Sequence, residues 1–378
     1  MGVAGAMLPS GGRASAAIPG QPRLTLTENQ AMPVPAGPAS ALPAAATAAA
    51  APGRAAFWQG RRVLVTGGAG FLGSGLCHAL AALGAEVTAL DAMRPDGGAN
   101  RANLAGSGVS LVEADLREAD LAPHVAGIDV LFNMAAQTSH AGSMADPFTD
   151  LAINATAQLR LIAALRAGAP AATVVHASTR QFYGRPHYLP VDEKHPINPP
   201  DANGVSKLAG EQYWLMEGRV QGRPVVSLRL TNCYGPRLRV KDARQTFLGI
   251  WFRRLLEGEP FEVWGGSQLR DLAYLDDVVA AFLAAAETPA CAGRAFNLGG
   301  ASPVSLTELA EAVIAANGGQ GSYVTREFPA ERASIDIGSF HADDTSFRSA
   351  TGWAPAVTLP EGLRRSLDWF RPRLNDYL

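Results

Sequence analysis

Cysteine is scarce in this 378-residue chain, where Cys77, Cys233 and Cys291 are the whole supply. They lie far apart with no CxxC pair, which argues against a disulfide framework or a zinc site and suits a reducing compartment. No metal is expected. Charge is scarce as well: charged residues make up 17% of the chain and the formal net charge is -2. Neither nucleic acid nor an anionic membrane is therefore indicated as a partner. No apolar run reaches the roughly 18 residues needed to span a bilayer. Acidic residues are almost missing from the first 55 positions, yet the charged start and apolar core of a secretory signal are missing too. Ala6 stands where N-myristoylation requires Ser or Thr. A cytoplasmic protein is the expectation.

What is present is a large apolar fraction, 47% of residues, enough for a substantial core. Residues 1–55, rich in Ala, Pro and Gly, carry no useful helical or strand period and read as a disordered tail. From Arg61 the text alternates. "RRVLVTG", "AEVTALD", "GVSLVEAD", "IDVLFNMAA", "AATVVHAST" and "PVVSLRLTNCYGP" are short apolar strands. Helical stretches lie between them, among them the long "DPFTDLAINATAQLRLIAALRAG". Apolar strands separated by helices predict an α/β fold, a doubly wound parallel sheet with both faces covered. The expected division is a nucleotide-binding domain over 61–235 and a smaller α/β lobe over 236–378, part of which can return to the sheet. That lobe would sit over the strands' carboxyl ends, where ligands bind in such sheets.

"VTGGAGFLGSG" follows a predicted strand and opens a predicted helix, with Gly67, Gly70 and Gly73 in the spacing GxxGxxG. Such a turn lets backbone amides approach a pyrophosphate at the helix N-terminus, which Phe71 and Leu72 begin. Asp91 ends the next strand and can accept hydrogen bonds from a ribose 2′-hydroxyl while repelling a 2′-phosphate. NAD is the expected cofactor, with Arg94 the one nearby residue that would suit the phosphorylated form.

The ordered set of this turn, "EADL", "NMAAQ", "STRQFYG", "GVSKLAGE", "RLTNCYGPR" and "LRDLAYLDDVV" resembles the extended short-chain dehydrogenase/reductases that act on nucleotide sugars. The resemblance runs over roughly residues 61–371. It implies a Rossmann-type domain holding NAD, a lobe for a nucleotide-diphosphate sugar, and a homodimer through helices near 148–167 and 204–218. It also implies that Asp115 and Leu116 meet the adenine and that Ala135, Ala136 and Gln137 line the nicotinamide ribose. Asn232, Arg270 and, more loosely, Arg332 would contact the nucleotide diphosphate. "RLRVKDARQTF" adds Arg237, Arg239, Lys241 and Arg244, either a phosphate-screening cluster or a solvated basic face. "WGG" and "FNLGG" read as scaffold.

By the same likeness the catalytic set is a hydroxyl, a tyrosine and a lysine one helical turn further on. Here Thr179 and Lys207 fill the first and last places, and Asn203 stands in the tyrosine's. Residues at i and i+4 share a helix face, but an amide carries no proton near neutral pH. Losing a positioned base costs on the order of 10²–10⁴ in rate. Thr179 through water, Lys207, Arg180 and, more remotely, His140 are the candidate replacements; Tyr183 reads as packing. Arg180 and Gln181 follow Thr179 where dehydratases of this kind carry an acid and a base, which disfavours dehydration. The expected activity is C4 epimerisation of a UDP-sugar-like substrate through a transient ketone. The alternatives are decarboxylation, dehydration, 3-epimerisation, or a non-catalytic NAD and nucleotide-sugar binder.

Overall fold

The computed structural model describes residues 32–33, 53–242 and 246–378. Seven parallel strands form the central sheet: β1 (Arg62–Thr66), β2 (Glu86–Asp91), β3 (Ser110–Glu113), β4 (Val130–Asn133), β5 (Thr173–Thr179), β6 (Val225–Leu230) and β7 (Arg294–Leu298), in the spatial order 3-2-1-4-5-6-7. The order reverses between β1 and β4, and the crevice at such a switch point is where open α/β sheets bind ligands. This is the doubly wound, Rossmann-type sheet that the alternation of apolar strands and helices predicts. Side chains along β1 alternate between its two cores. Val63 and Val65 pack on one face and Leu64 on the other, as the two-residue period of a strand requires.

Helices cover both faces. On one lie α1 (Phe71–Ala82) and α5 (Leu275–Glu287). They approach so closely that a Cβ on Gly75 would press against Leu275 and Val279. On the other lie α2 (Ala157–Gly168) and α3 (Ala202–Gln221). The stretch expected as one long helix is continuous but not uniform. Pro147–Leu151 is α-helical, Ala152–Thr156 is a π turn, and α2 follows. π turns cluster at functional positions, and here Asn154 is turned inward to bond the backbone of Gln137 in both directions, at 3.0 and 3.1 Å.

Buried ion pairs fix α3. Arg229 on β6 donates through Nε and Nη2 to Glu211, at 2.6 Å for the shorter bond, while Ser227 Oγ donates to the same carboxylate at 3.1 Å. Glu217 is held likewise by Arg166 and Arg223. Tyr183 is fully buried, accepting from Arg229 at 2.6 Å and donating to Asn297 at 2.8 Å.

Beyond β6 the chain builds small sheets, Asn232–Tyr234 with Leu272–Tyr274 and Phe261–Trp264 with Tyr323–Arg326, and helices α4 (Phe247–Leu256), α6 (Leu306–Ala316) and α7 (Leu359–Phe370). In the middle of this segment β7 rejoins the main sheet beside β6. The tail reading of residues 1–55 falls mostly outside the described residues. Two described parts of it are ordered. Met32–Pro33 pairs antiparallel with β3, whose outer edge offers unpaired backbone groups. Arg54 and Ala55 already belong to a helix, Arg54–Trp58, where Arg54 and Trp58 both bond Glu287. Arg244 lies outside the described residues.

Candidate functional site

A cleft of about 780 Å³ opens along the carboxyl ends of β1 to β6, a size in the range of small-molecule sites. At one end is the glycine turn. Gly67 adopts a left-handed φ of 65°, and a Cβ there would lie 2.9 Å from the Ala135 backbone. A Cβ on Gly73 would overlap the Gly67 carbonyl oxygen. Side chains are thus excluded by geometry, and Gly67, Gly70, Phe71, Leu72 and Gly73 all line the cleft where α1 begins. Asp91, at the end of β2, accepts from Ala69 N at 3.1 Å and Met93 N at 3.0 Å. Burial pushes its carboxyl above the ordinary range. Arg94 is occupied, its Nε and Nη2 donating to Asp96 at 3.1 and 2.9 Å.

Asp115 and Leu116 lie in the same wall. The Asp115 carboxylate is gripped by Arg117, through Nε at 3.0 Å and Nη2 at 2.7 Å, and the guanidinium holds its pKa down. Ala135, Ala136 and Gln137 follow β4 along the floor, with Ala135 N donating to Thr66 Oγ1 at 3.2 Å. A close-packed turn, a helix start facing open space and an acceptor at the next strand's end fit a dinucleotide.

The other end of the cleft brings together Thr179, Arg180, Gln181, Asn203, Lys207 and Asn232. Thr179 Oγ1 accepts from Gln181 N at 3.1 Å, which leaves its hydroxyl hydrogen for a ligand. Burial pushes the Lys207 ammonium down to about 8, with the charge of Asp150 pulling the other way. Asn203, buried one turn before it, donates through Nδ2 to Gln137 O and to Asp150 Oδ2, both at 2.9 Å. Asp150 Oδ1 finds no hydrogen-bond partner among the described residues, nor do Arg180 Nε and Asn232 Oδ1. Burial and the neighbouring Arg270 push Arg180 down to about 10, and its guanidinium faces the Phe340 ring at 5.1 Å.

Arg270 and Arg332 are not among the residues lining this cleft. Arg270 is buried and donates to Gly338 O at 2.7 Å, with Asp336 at 3.3 Å. Arg332 is exposed and covers the Trp264 ring at 4.7 Å.

Two carboxylates that the sequence did not single out complete the substrate end: Asp150 beneath Asn203, and Asp201. Asp201 Oδ1 caps α3 by accepting from Gly204 N at 2.7 Å. Its Oδ2 accepts from Gln181 Nε2 at 2.9 Å and lies 2.8 Å from His140 Nδ1. An Asp just before a helix is a cap signal in any sequence, so this one was visible as a cap and not as a partner of His140, 61 positions away.

Comparison with known proteins carries the likeness over most of the chain. The family model described as NAD dependent epimerase/dehydratase family matches residues 63–299. UDP-glucose 4-epimerase of Mycolicibacterium smegmatis is 34% identical over 314 residues, 82% of this chain and 98% of that one. Among solved structures, the UDP-glucose 4-epimerase of Thermotoga maritima with UDP-glucose superposes with a TM-score of 0.76 at 27% identity, over 83% of this chain and 99% of that one. The UDP-glucose 4-epimerase of Thermus thermophilus, a complex with NAD, gives 0.72 at 30%, over 82% and 99%.

Proposed function

The chain belongs to the NAD dependent epimerase/dehydratase family, whose resemblance to extended short-chain dehydrogenase/reductases its motifs already carried, and from that premise we propose that it epimerises a nucleotide-diphosphate sugar at C4. The observation that carries this reading is the single cleft in which the glycine turn, Thr179 and Lys207 meet, with Arg180 and Gln181 following Thr179 in place of carboxylates.

NAD, held along Gly67–Gly73, Asp91, Asp115, Leu116 and Ala135–Gln137, would supply reversible removal and return of a carbon-bound hydrogen with its electron pair. The remaining work falls to side chains. Thr179, its oxygen already accepting from Gln181 N, would donate its hydrogen to the reacting sugar oxygen. Lys207 would hold the nicotinamide ribose and stabilise negative charge on that oxygen, the more strongly for being desolvated. Asn203 has both amide hydrogens committed to Gln137 and Asp150, so only its Oδ1 is left to receive a sugar hydroxyl. It would orient and not transfer. Arg180 and Asn232, each with an unpartnered buried atom, would take anionic or polar oxygens of the substrate. Arg270 and Arg332 would reach the diphosphate only after leaving Asp336 and the Trp264 ring.

The related activities of this family would run through the same cleft, and products separate them. Purified protein is offered a panel of UDP- and other nucleotide sugars, and products are read by mass spectrometry and NMR. An epimer of unchanged mass is expected. Loss of carbon dioxide or water assigns decarboxylation or dehydration instead, and absence of any product with every sugar makes the protein a binder.

The expected homodimer has support of its own. Phe148 is 84% exposed, and Leu151, Leu159 and Val205 are also open to solvent near the two helices concerned. Such a patch marks a partner surface. Sedimentation at twice the chain mass is expected, and a monomer at all concentrations would remove the dimer. A reducing, cytoplasmic setting suits the three free thiols.

A further inference from the structure

We propose that His140, oriented by Asp201, takes and returns the proton that Asn203 cannot carry. This rests on the epimerase reading above.

The Asp201 side chain is fully buried, and three donors converge on it: Gly204 N, Gln181 Nε2 and the His140 ring. An ionised carboxylate only accepts hydrogen bonds, so the ring nitrogen facing it, Nδ1, carries the hydrogen. The opposite nitrogen, Nε2, is then a bare acceptor in the neutral ring. A buried carboxylate that fixes the tautomer of an imidazole is the device by which a histidine is readied as a base. The partnership is rigid on the carboxylate side, because Oδ1 is committed as the cap of α3.

The imidazole also borders the cleft. His140 lines the same cleft as Thr179, Asn203 and Lys207, and 42% of its side chain remains accessible. Its short helix is stitched to the start of α3. Ser143 Oγ donates to His140 O at 2.7 Å and accepts from Asn203 N at 3.1 Å. Gln137, three residues before His140, accepts from the Asn203 amide. Gln181, two residues after Thr179, shares the Asp201 oxygen with the ring. His140 is thus tied to Asn203 through Ser143, and to Thr179 through Asp201 and Gln181 in turn. Unlike Asn203, it has a ring nitrogen, Nε2, with no hydrogen-bond partner among the described residues.

The sugar O–H bond breaks and its proton passes to Nε2, forming imidazolium. NAD held in the cleft would accept the hydrogen of the same carbon with both its electrons, so that the C–O bond becomes C=O. After the ketone turns, its carbon regains hydrogen and electrons on the opposite face, and the imidazolium returns the proton to oxygen. Asp201 is the positioning residue and holds no transferred proton.

The test uses the full-length, cofactor-bearing protein. Mixing with a nucleotide-sugar panel is followed by the near-ultraviolet absorbance of reduced nicotinamide. His140→Gln is expected to slow reduction by about 10²-fold or more while NAD content and melting temperature stay at wild-type values. Added imidazole is expected to restore part of the rate to His140→Ala. A second readout needs no turnover. In ¹⁵N-histidine-labelled protein, the signals lost in His140→Gln should show hydrogen on Nδ1 and a bare Nε2, and Asp201→Asn should mix the two tautomers. A wild-type rate in His140→Gln, or hydrogen on Nε2 in the wild type, overturns the assignment while leaving the epimerase reading standing. Failure of the wild type to reduce nicotinamide with any sugar overturns both.

Discussion

At the cofactor end of the cleft the recognition surface is backbone and empty space, created by Gly67 and Gly73, where any side chain would collide, and by Gly70, where a Cβ would crowd the Gly67 carbonyl oxygen at 3.1 Å. At the substrate end it is a web of side chains that hold one another: Asn203 on Asp150 and Gln137, Gln181 and His140 on Asp201. The first kind of site tolerates almost no substitution, because its geometry is set by contacts of main chain on main chain. The second can exchange one polar group for another and keep its shape, because each group is held by side chains and not by the packing of main chain.

By that contrast, Gly73→Val should do the most damage. The added atoms would overlap the Gly67 carbonyl, and relieving overpacking costs roughly 1–3 kcal/mol. NAD affinity by calorimetry is expected to fall about 100-fold, with 1.4 kcal/mol per tenfold; retention of full affinity would break the comparison. Asp91→Ala comes next, removing a charged acceptor whose hydrogen bonds are worth about 1.5–3 kcal/mol, so NAD binding should weaken about tenfold. Arg94→Ala serves as its control. Because Arg94 is already bonded to Asp96, the preference for NAD over NADP should move by less than about twofold.

The smallest effect sharpens the substrate end. Burial lowers Lys207 to about 8, below its unfolded value of about 10.5, so the unfolded chain binds more protons between those limits. The cost of burying the charge is therefore present in full below pH 8 and fades as pH rises towards 10.5. In cofactor-free protein, Lys207→Met should melt a few degrees higher than wild type at pH 7, with the gap closing through that window. A gap that stays constant with pH would mean that solvent screens the ammonium.

Much of this was legible beforehand, for identifiable reasons. The strands and the cofactor turn follow from local patterns: continuous apolar runs, glycine spacing, an acidic residue at the end of β2. The placement of Thr179 and Lys207 in one cleft was implied by the resemblance of their motifs to the family's. What could not be read was the pairing of groups far apart in the chain. Nothing local distinguishes His140 from a solvated loop histidine, or Asp150 from any helical Asp. Arg270 matches a diphosphate-contacting arginine by resemblance, and no local pattern announces the bonds its guanidinium makes to the Gly338 carbonyl and Asp336. The π turn at Ala152–Thr156, which turns Asn154 onto Gln137, likewise leaves no mark in a helical period.

The return of β7 to the sheet limits how the chain could be divided. Residues 236–293 are an excursion between two neighbouring strands, Val225–Leu230 and Arg294–Leu298, which pair along five positions. Cutting near residue 236 would strip the outer neighbour from β6 and leave a raw hydrogen-bonding edge, open to pairing with another copy. The substrate-side elements therefore do not form a detachable cassette: any exchange of them between relatives has to carry the last strand of the nucleotide-binding sheet along.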